Sequence, residues 1–147
     1  MAFNYSAGLG SVGSYQVAGV PWITGSGAEG LPGSAEHKIE FPTVAKSVLV
    51  MMFDPTDNAP LRVSFNSTGS GNVVGGNHFY PLTSTRDAVS FGVKCKEIYI
   101  SNTTAETSGY IVVAELTGIS SNEMFILTGS GLTDPVWWWI TGKFLEI

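Results

Sequence analysis

The stretch EHKIEFPTVAKSVLVMMF, residues 36–53, decides how the chain folds. In its first half His37, Ile39 and Phe41 alternate with Glu36, Lys38 and Glu40, the period-two pattern of a strand with one face on a core and the other on water. Its last part, SVLVMMF, is apolar at every position after Ser47, as expected of a strand covered on both faces. No window of the sequence offers a competing helical period with caps.

Further along, DPTDNAP (54–60) has the chemistry of a turn. LRVSF places Leu61, Val63 and Phe65 inward against Arg62 and Ser64. STGSGNVVGGN (67–77) reads as a glycine-rich loop, and HFYPL as a short edge strand ended by Pro81. AVSFGV puts Val89, Phe91 and Val93 on one face, EIYIS puts Ile98 and Ile100 opposite Tyr99, and TTAETSG turns the chain. GYIVVAEL (109–116) is a strong strand with Tyr110, Val112, Ala114 and Leu116 on one side. Upstream, SYQVAGVPWI (14–23) is a strand within a glycine-rich segment. About seven or eight strands at roughly ten- to fifteen-residue spacing predict a sandwich. The expected fold is all-β: an antiparallel β-sandwich, jelly-roll in type, with extended N- and C-terminal arms. The division is an N-terminal arm with a short strand at 1–34, a sandwich core at 35–117 and a C-terminal extension at 118–147.

The composition fits one domain. The chain has 147 residues, 44% hydrophobic, 12% aromatic and 13% charged, enough to build a core and too apolar for disorder. A net charge of −5, with the seven Lys and Arg scattered, argues against nucleic acid as a partner. No run approaches the length of a membrane span, and MAFNYSAGLG lacks the basic and apolar regions of a secretory signal. A single cysteine, Cys95, excludes an intrachain disulfide and reads as an inert, partly buried thiol. Sequons at Asn4, Asn66 and Asn102 match the glycosylation pattern, as a chain rich in Ser, Thr and Asn does by composition.

The inventory for catalysis is poor. His37 falls on the core-facing side of its strand. His78 could be drawn into a triad with Ser84 and Asp87, but no G-x-S-x-G elbow supports it. Two isolated histidines cannot build a cupin metal site. Asp54, Asp57 and Asn58 offer oxygens to calcium but lack EF-hand spacing and suit a turn. GSGNVVGG lacks the Gly-Lys-Ser/Thr of a phosphate loop. Glu36 and Glu40 share a polar face, and Glu115 stands alone, so paired-carboxylate chemistry is not indicated. The reading is a non-enzyme with no catalytic residue, no metal and no cofactor.

The tail PVWWWITGKFLEI (135–147) points elsewhere. In an extended strand Trp137 and Trp139 face one way and Trp138 the other, so both sides need cover. At about 150–250 Å² per ring and about 25 cal/mol per Å², their burial is worth on the order of 11–19 kcal/mol gross. Aromatic, glycine-rich arms flanking a compact middle suit a protein that grips its neighbours. The candidate interface residues are Phe3, Tyr5 and Trp22 near the start and Trp137, Trp138, Trp139 and Phe144 at the end, since hot spots favour such rings. The rival reading is a fibre or adhesin module that binds carbohydrate, with Tyr80, Tyr99 or Tyr110 exposed on a concave face.

GLGSVGSYQVAG, IEFPTVAKSVLVMMFD, the pair HFYPLTS and KCKEIYISN, and YIVVAELTGI, together spanning residues 8–119, resemble small structural proteins of tailed bacteriophages. Among these are capsid decoration (cement) proteins and head or tail fibres built on a jelly-roll-like sandwich. The resemblance implies a place on the virion surface, bound to the major capsid protein and to copies of itself, commonly as a trimer, reinforcing the shell.

Overall fold

The computed structural model describes residues 8–10, 12–16, 18–27, 29–53, 59–68, 73, 77–84 and 86–128. Its longest element is β2 (Glu36–Met52), seventeen residues in one strand, and the others are placed by it. β1 (Val20–Gly25) precedes it; β3 (Leu61–Ser64), β4 (Tyr80–Leu82), β5 (Ala88–Phe91), β6 (Cys95–Ser101) and β7 (Tyr110–Ser120) follow. All pairings are antiparallel, in the order β1-β7-β2-β6-β3-β4, with β5 also on β2.

Along one edge of β2, β5 and β6 follow each other. Phe91 lies opposite Val48, Cys95 opposite Ala45 and Ser101 opposite Glu36. Along the other edge runs β7. Between Ala45 and Ser47 the register with β7 slips, because Ala45 faces Leu116 and Ser47 faces Glu115. Two steps on β2 thus match one on β7, so a bulge falls at Lys46 and reverses which side chains point inward. Before the bulge the odd positions Ile39, Phe41 and Ala45 are in the main core; after it, the even positions Val48, Val50 and Met52 are. Strands that change layer at a bulge are how sheets turn a corner. The first half of β2 joins β6, β3 and β4, and the second half joins β7, β1 and β5. Leu61, Val63, Leu82, Ile98 and Ile100 from one layer form a single cluster with Tyr110, Val112, Ala114 and Leu116 from the other. The chain is an all-β antiparallel sandwich.

SVLVMMF was expected to be covered on both faces, and it is not. Val48, Val50 and Met52 are buried, but Leu49 is 37% and Phe53 50% exposed. The strand expected over 14–23 begins only at Val20, after a helical turn, α1 (Gly13–Gln16). β7 runs past Leu116 to Ser120. The edge strand HFYPL shortens to β4, where Pro81 lies inside the strand at the end of the sheet order, a place that tolerates a missing N–H.

A smaller cluster lies on the outward side of the bulge, where Val44, Ile119 and Met124 are buried beneath Leu9, Tyr15 and Leu127. Tyr15 donates its hydroxyl to the Leu9 carbonyl at 2.9 Å, and Lys46 donates to the Tyr15 carbonyl at 3.2 Å. The segment around Leu9 and Tyr15 therefore packs on its own domain. Asn102, buried, closes the loop before β7. Its amide donates to the Leu31 and Glu106 carbonyls (3.1 and 2.5 Å), and its oxygen accepts from the Thr104 N–H and hydroxyl (3.0 and 2.7 Å).

Gly109 meets the end of β2 with no room for a side chain, since a Cβ there would collide with the Phe53 carbonyl oxygen. The Phe53 N–H also donates to the Gly109 carbonyl at 2.8 Å. Gly109→Ala is expected to destabilise the domain by about 1–3 kcal/mol, the usual cost of overpacking, read from the urea midpoint. Cys95 is fully buried, and burial pushes its thiol from 9.0 up to about 12; burial also raises the Tyr110 phenol. The fold thus holds these protons longer than the unfolded chain does. Their stabilising contribution is complete below about pH 9 and is lost as pH rises toward 12. The urea midpoint should fall over that range, and less steeply in Cys95→Ala.

Candidate interaction surface

The half-sheet β1-β7-β2-β5 has its second face outward, and the residues that alternate with the core positions occupy it. Register places Ile23 beside Val113, Val113 beside Leu49 and Leu49 beside Ser90; the next row runs Gly25, Ile111, Met51, Ala88. Ile23 is 67% exposed and Leu49 37%, while Val113, Ile111 and Met51 are half-buried. On the other side lies the row Pro21, Glu115, Ser47, where Glu115 sits 3.6 Å from the Lys46 ammonium. This apolar zone is bordered by that charge pair, which stands along β7 between it and the cluster that Leu9, Tyr15 and Leu127 cover. Solitary domains rarely leave contiguous apolar surface beyond a few hundred Å².

β1 ends the sheet and is exposed at Val20, Pro21, Ile23 and Gly25. Trp22, predicted as an interface residue, faces inward opposite Ala114, half-buried, with its ring edge-on to Phe41 at 5.3 Å. It lines the rim of the core at this edge. Phe3, Tyr5, Trp137, Trp138, Trp139 and Phe144 lie outside the described residues, as do Asp54, Asp57 and Asn58.

A second feature is an aromatic cleft of about 240 Å³ beside β3 and β4, lined by Val63, Ser64, Phe65, His78, Phe79, Tyr80 and Phe91. Phe91 stands edge-on to Phe65 and Tyr80 (5.4 and 6.3 Å), and the Arg62 guanidinium lies 4.3 Å from the centre of the Phe79 ring. Tyr80 is exposed, Tyr99 half-buried and Tyr110 buried, so of the three tyrosines named for a sugar platform only Tyr80 is open.

Several titratable groups among the described residues are engaged in structure. His37 Nδ1 lies 2.9 Å from the Tyr110 hydroxyl. Glu97 accepts from Lys38 at 3.0 Å and from the Tyr99 hydroxyl at 3.1 Å. That hydrogen bond to Glu97 is the main cause holding the Lys38 ammonium above its usual range; burial first, then Glu97, raises Tyr99. Asp87 caps its turn, accepting from the Thr83 and Ser84 N–H groups at 3.0 Å each, which lowers its carboxyl. Glu36 holds Ser67 and Thr68 at 2.7 and 2.9 Å. Among the described residues no three His, Cys, Asp or Glu gather as metal ligands would. Sequence reasoning missed the open outer face, although its signal was present: the unbroken apolar run 48–53 marks a strand whose second face needs a partner.

No family model matches the chain, and no curated protein matches it. Among solved structures, the chain is similar to one described by the words "Bacillus endospore appendages form a novel family of disulfide-linked pili". The identity is 16%, 82% of this chain and 100% of that one are covered, and the TM-score is 0.40.

Proposed function

We propose that this chain is a non-enzymatic structural subunit of a virion, a capsid decoration (cement) protein that assembles with copies of itself and binds neighbouring major capsid subunits on the capsid surface. The observation that supports it most is the open apolar zone of Ile23, Val113, Leu49, Ile111 and Met51, which a contact with another protein would cover. The viral setting, the trimer and the jelly-roll connectivity come from the resemblance of residues 8–119 and belong to the same reading. A subunit of this kind needs no strong single contact, because each contact after the first is made at high effective concentration and adds avidity. The purified full chain is expected to sediment as a multi-copy species, and Ile23→Lys combined with Leu49→Asp to sediment as a monomer with its urea midpoint kept. A wild-type monomer at about 100 µM, a concentration at which even weak specific contacts populate, would overturn the reading.

The aromatic cleft supports a second reading, a fibre or adhesin module for carbohydrate, because exposed rings such as Tyr80 stack on the apolar faces of sugars. A glycan array probed with the full chain should then give signals that Tyr80→Ala lowers about tenfold or more, a typical loss for an aromatic hot spot. Silence across the array removes it.

A further inference from the structure

We infer that residues 8–10 and 12–16 form a plug that undocks from the domain while the sandwich stays folded, so that the apolar surface of Val44, Ile119 and Met124 is capped or presented according to where the plug lies. This stands apart from the multi-copy reading, since it concerns a cap that each chain carries on itself.

The segment is closed on itself. The Gly8 N–H donates to the Ser14 hydroxyl at 3.1 Å, and the Tyr15 hydroxyl donates to the Leu9 carbonyl at 2.9 Å. Between these closures the Tyr15 N–H donates to the Val12 carbonyl at 3.0 Å. Ser14 is buried inside the result. Much of what orders the segment is therefore its own, and α1, a single turn too short to stand by itself, is held by these bonds.

Its attachment differs in kind from that of the strands. Each strand is held by a ladder of backbone bonds, whereas among the described residues no backbone-to-backbone hydrogen bond joins the plug to the rest of the domain. Side chains hold it instead. Leu9 and Tyr15, both half-buried, lie on the small cluster, which is separate from the main core. Two lysines reach plug carbonyls: Lys46 donates to Tyr15 at 3.2 Å, and the exposed Lys94, just before β6, donates to Leu9 at 3.5 Å. The Lys94 ammonium also lies 5.8 Å from the centre of the Tyr15 ring. A segment with few buried apolar contacts and no ladder belongs to the low end of a domain's stability range, where local opening precedes global unfolding.

What the plug covers stays in place without it. Val44 and Ile119 lie within the paired stretch of β2 and β7, where Thr43 is opposite Ser120 and Ala45 opposite Leu116. Undocking therefore lays an apolar floor open without dismantling the sheet. The device is a cap: the floor is shielded from indiscriminate contact while the plug is seated and becomes a surface when it leaves. Leu127 shares the cover, so the test must separate its movement from the plug's.

The test reads thiol labelling by DTNB in the folded full-length chain. Cys95, the native thiol, is fully buried in the main core and reports global unfolding. Val44→Cys places a second thiol beneath the plug. That thiol should react at least about a hundredfold faster than Cys95 in the same molecule, at a rate nearly independent of low urea, because a local opening exposes little new surface. Tyr15→Phe and Lys94→Met each remove one tie and leave the cover in place. Each should speed the reaction about threefold or more, the usual weight of one hydrogen bond, with Cys95 unchanged. Ile119→Cys repeats the measurement at a second point of the floor should Val44→Cys lower the urea midpoint. Equal rates for the two thiols, with the same urea dependence, overturn the plug as a separate unit. Fast labelling that neither Tyr15→Phe nor Lys94→Met alters assigns the movement to another segment and overturns the inference equally.

Discussion

A break in register near the middle of β2 organises this domain. At Lys46 the long strand β2 gains a step on its partner β7, and the side chains that had faced one way face the other. Without that slip the odd-numbered apolar positions would continue inward, Leu49 and Met51 would replace Val48, Val50 and Met52, and the two halves of the strand could not line the same core. With it, one strand serves two layers and β5 and β6 follow the same corner along its edge. The core that results draws on every strand, which is why Cys95, opposite Ala45 at the bend, is among the least accessible groups in the molecule.

The corner also accounts for the surface. Where β2 bends, its outward side is closed by Leu9, Tyr15 and Leu127 over Val44 and Ile119. Farther along, the same side carries Leu49, Met51, Val113 and Ile23 with no cover among the described residues. Apolar rows of this kind are tolerable only if something occupies them, since they invite indiscriminate pairing otherwise. Pro21, which removes a donor from the β1 edge, and Glu115, which adds charge beside the patch, both narrow what can bind there.

Much of this was legible in the residues. Alternation identified β2's first half, where Lys38 and Glu40 face water, and it placed Ile98 and Ile100 of β6 and Tyr110, Val112, Ala114 and Leu116 of β7 on the core side. Pro81 and the short HFYPL run marked β4 as an edge. What alternation could not reveal was the bulge, since PTVAKS offers only Pro42 as a hint, four positions before Lys46, and the effect appears as a change of parity. For the same reason SVLVMMF read as covered on both sides: its outward residues are as apolar as its inward ones, and local sequence does not record whether the cover comes from within. Trp22 was ambiguous because a ring at a sheet edge serves the core and the rim together. The sequence did not mark Asn102 either, whose role depends on Leu31, seventy-one positions away.

That asparagine begins a perfect acceptor sequence for N-linked sugar, Asn-Thr-Thr, and in the finished fold every polar atom of its amide is spoken for. The Thr104 hydroxyl that an oligosaccharyltransferase would need to engage is instead turned onto the asparagine itself. A glycan could be attached only before this loop closes, and once attached it would hold the loop open. Production of the protein in a secretory host therefore sets transferase against folding in a race, and a bacterial cytoplasm, where no such transferase acts, lets the loop shut undisturbed.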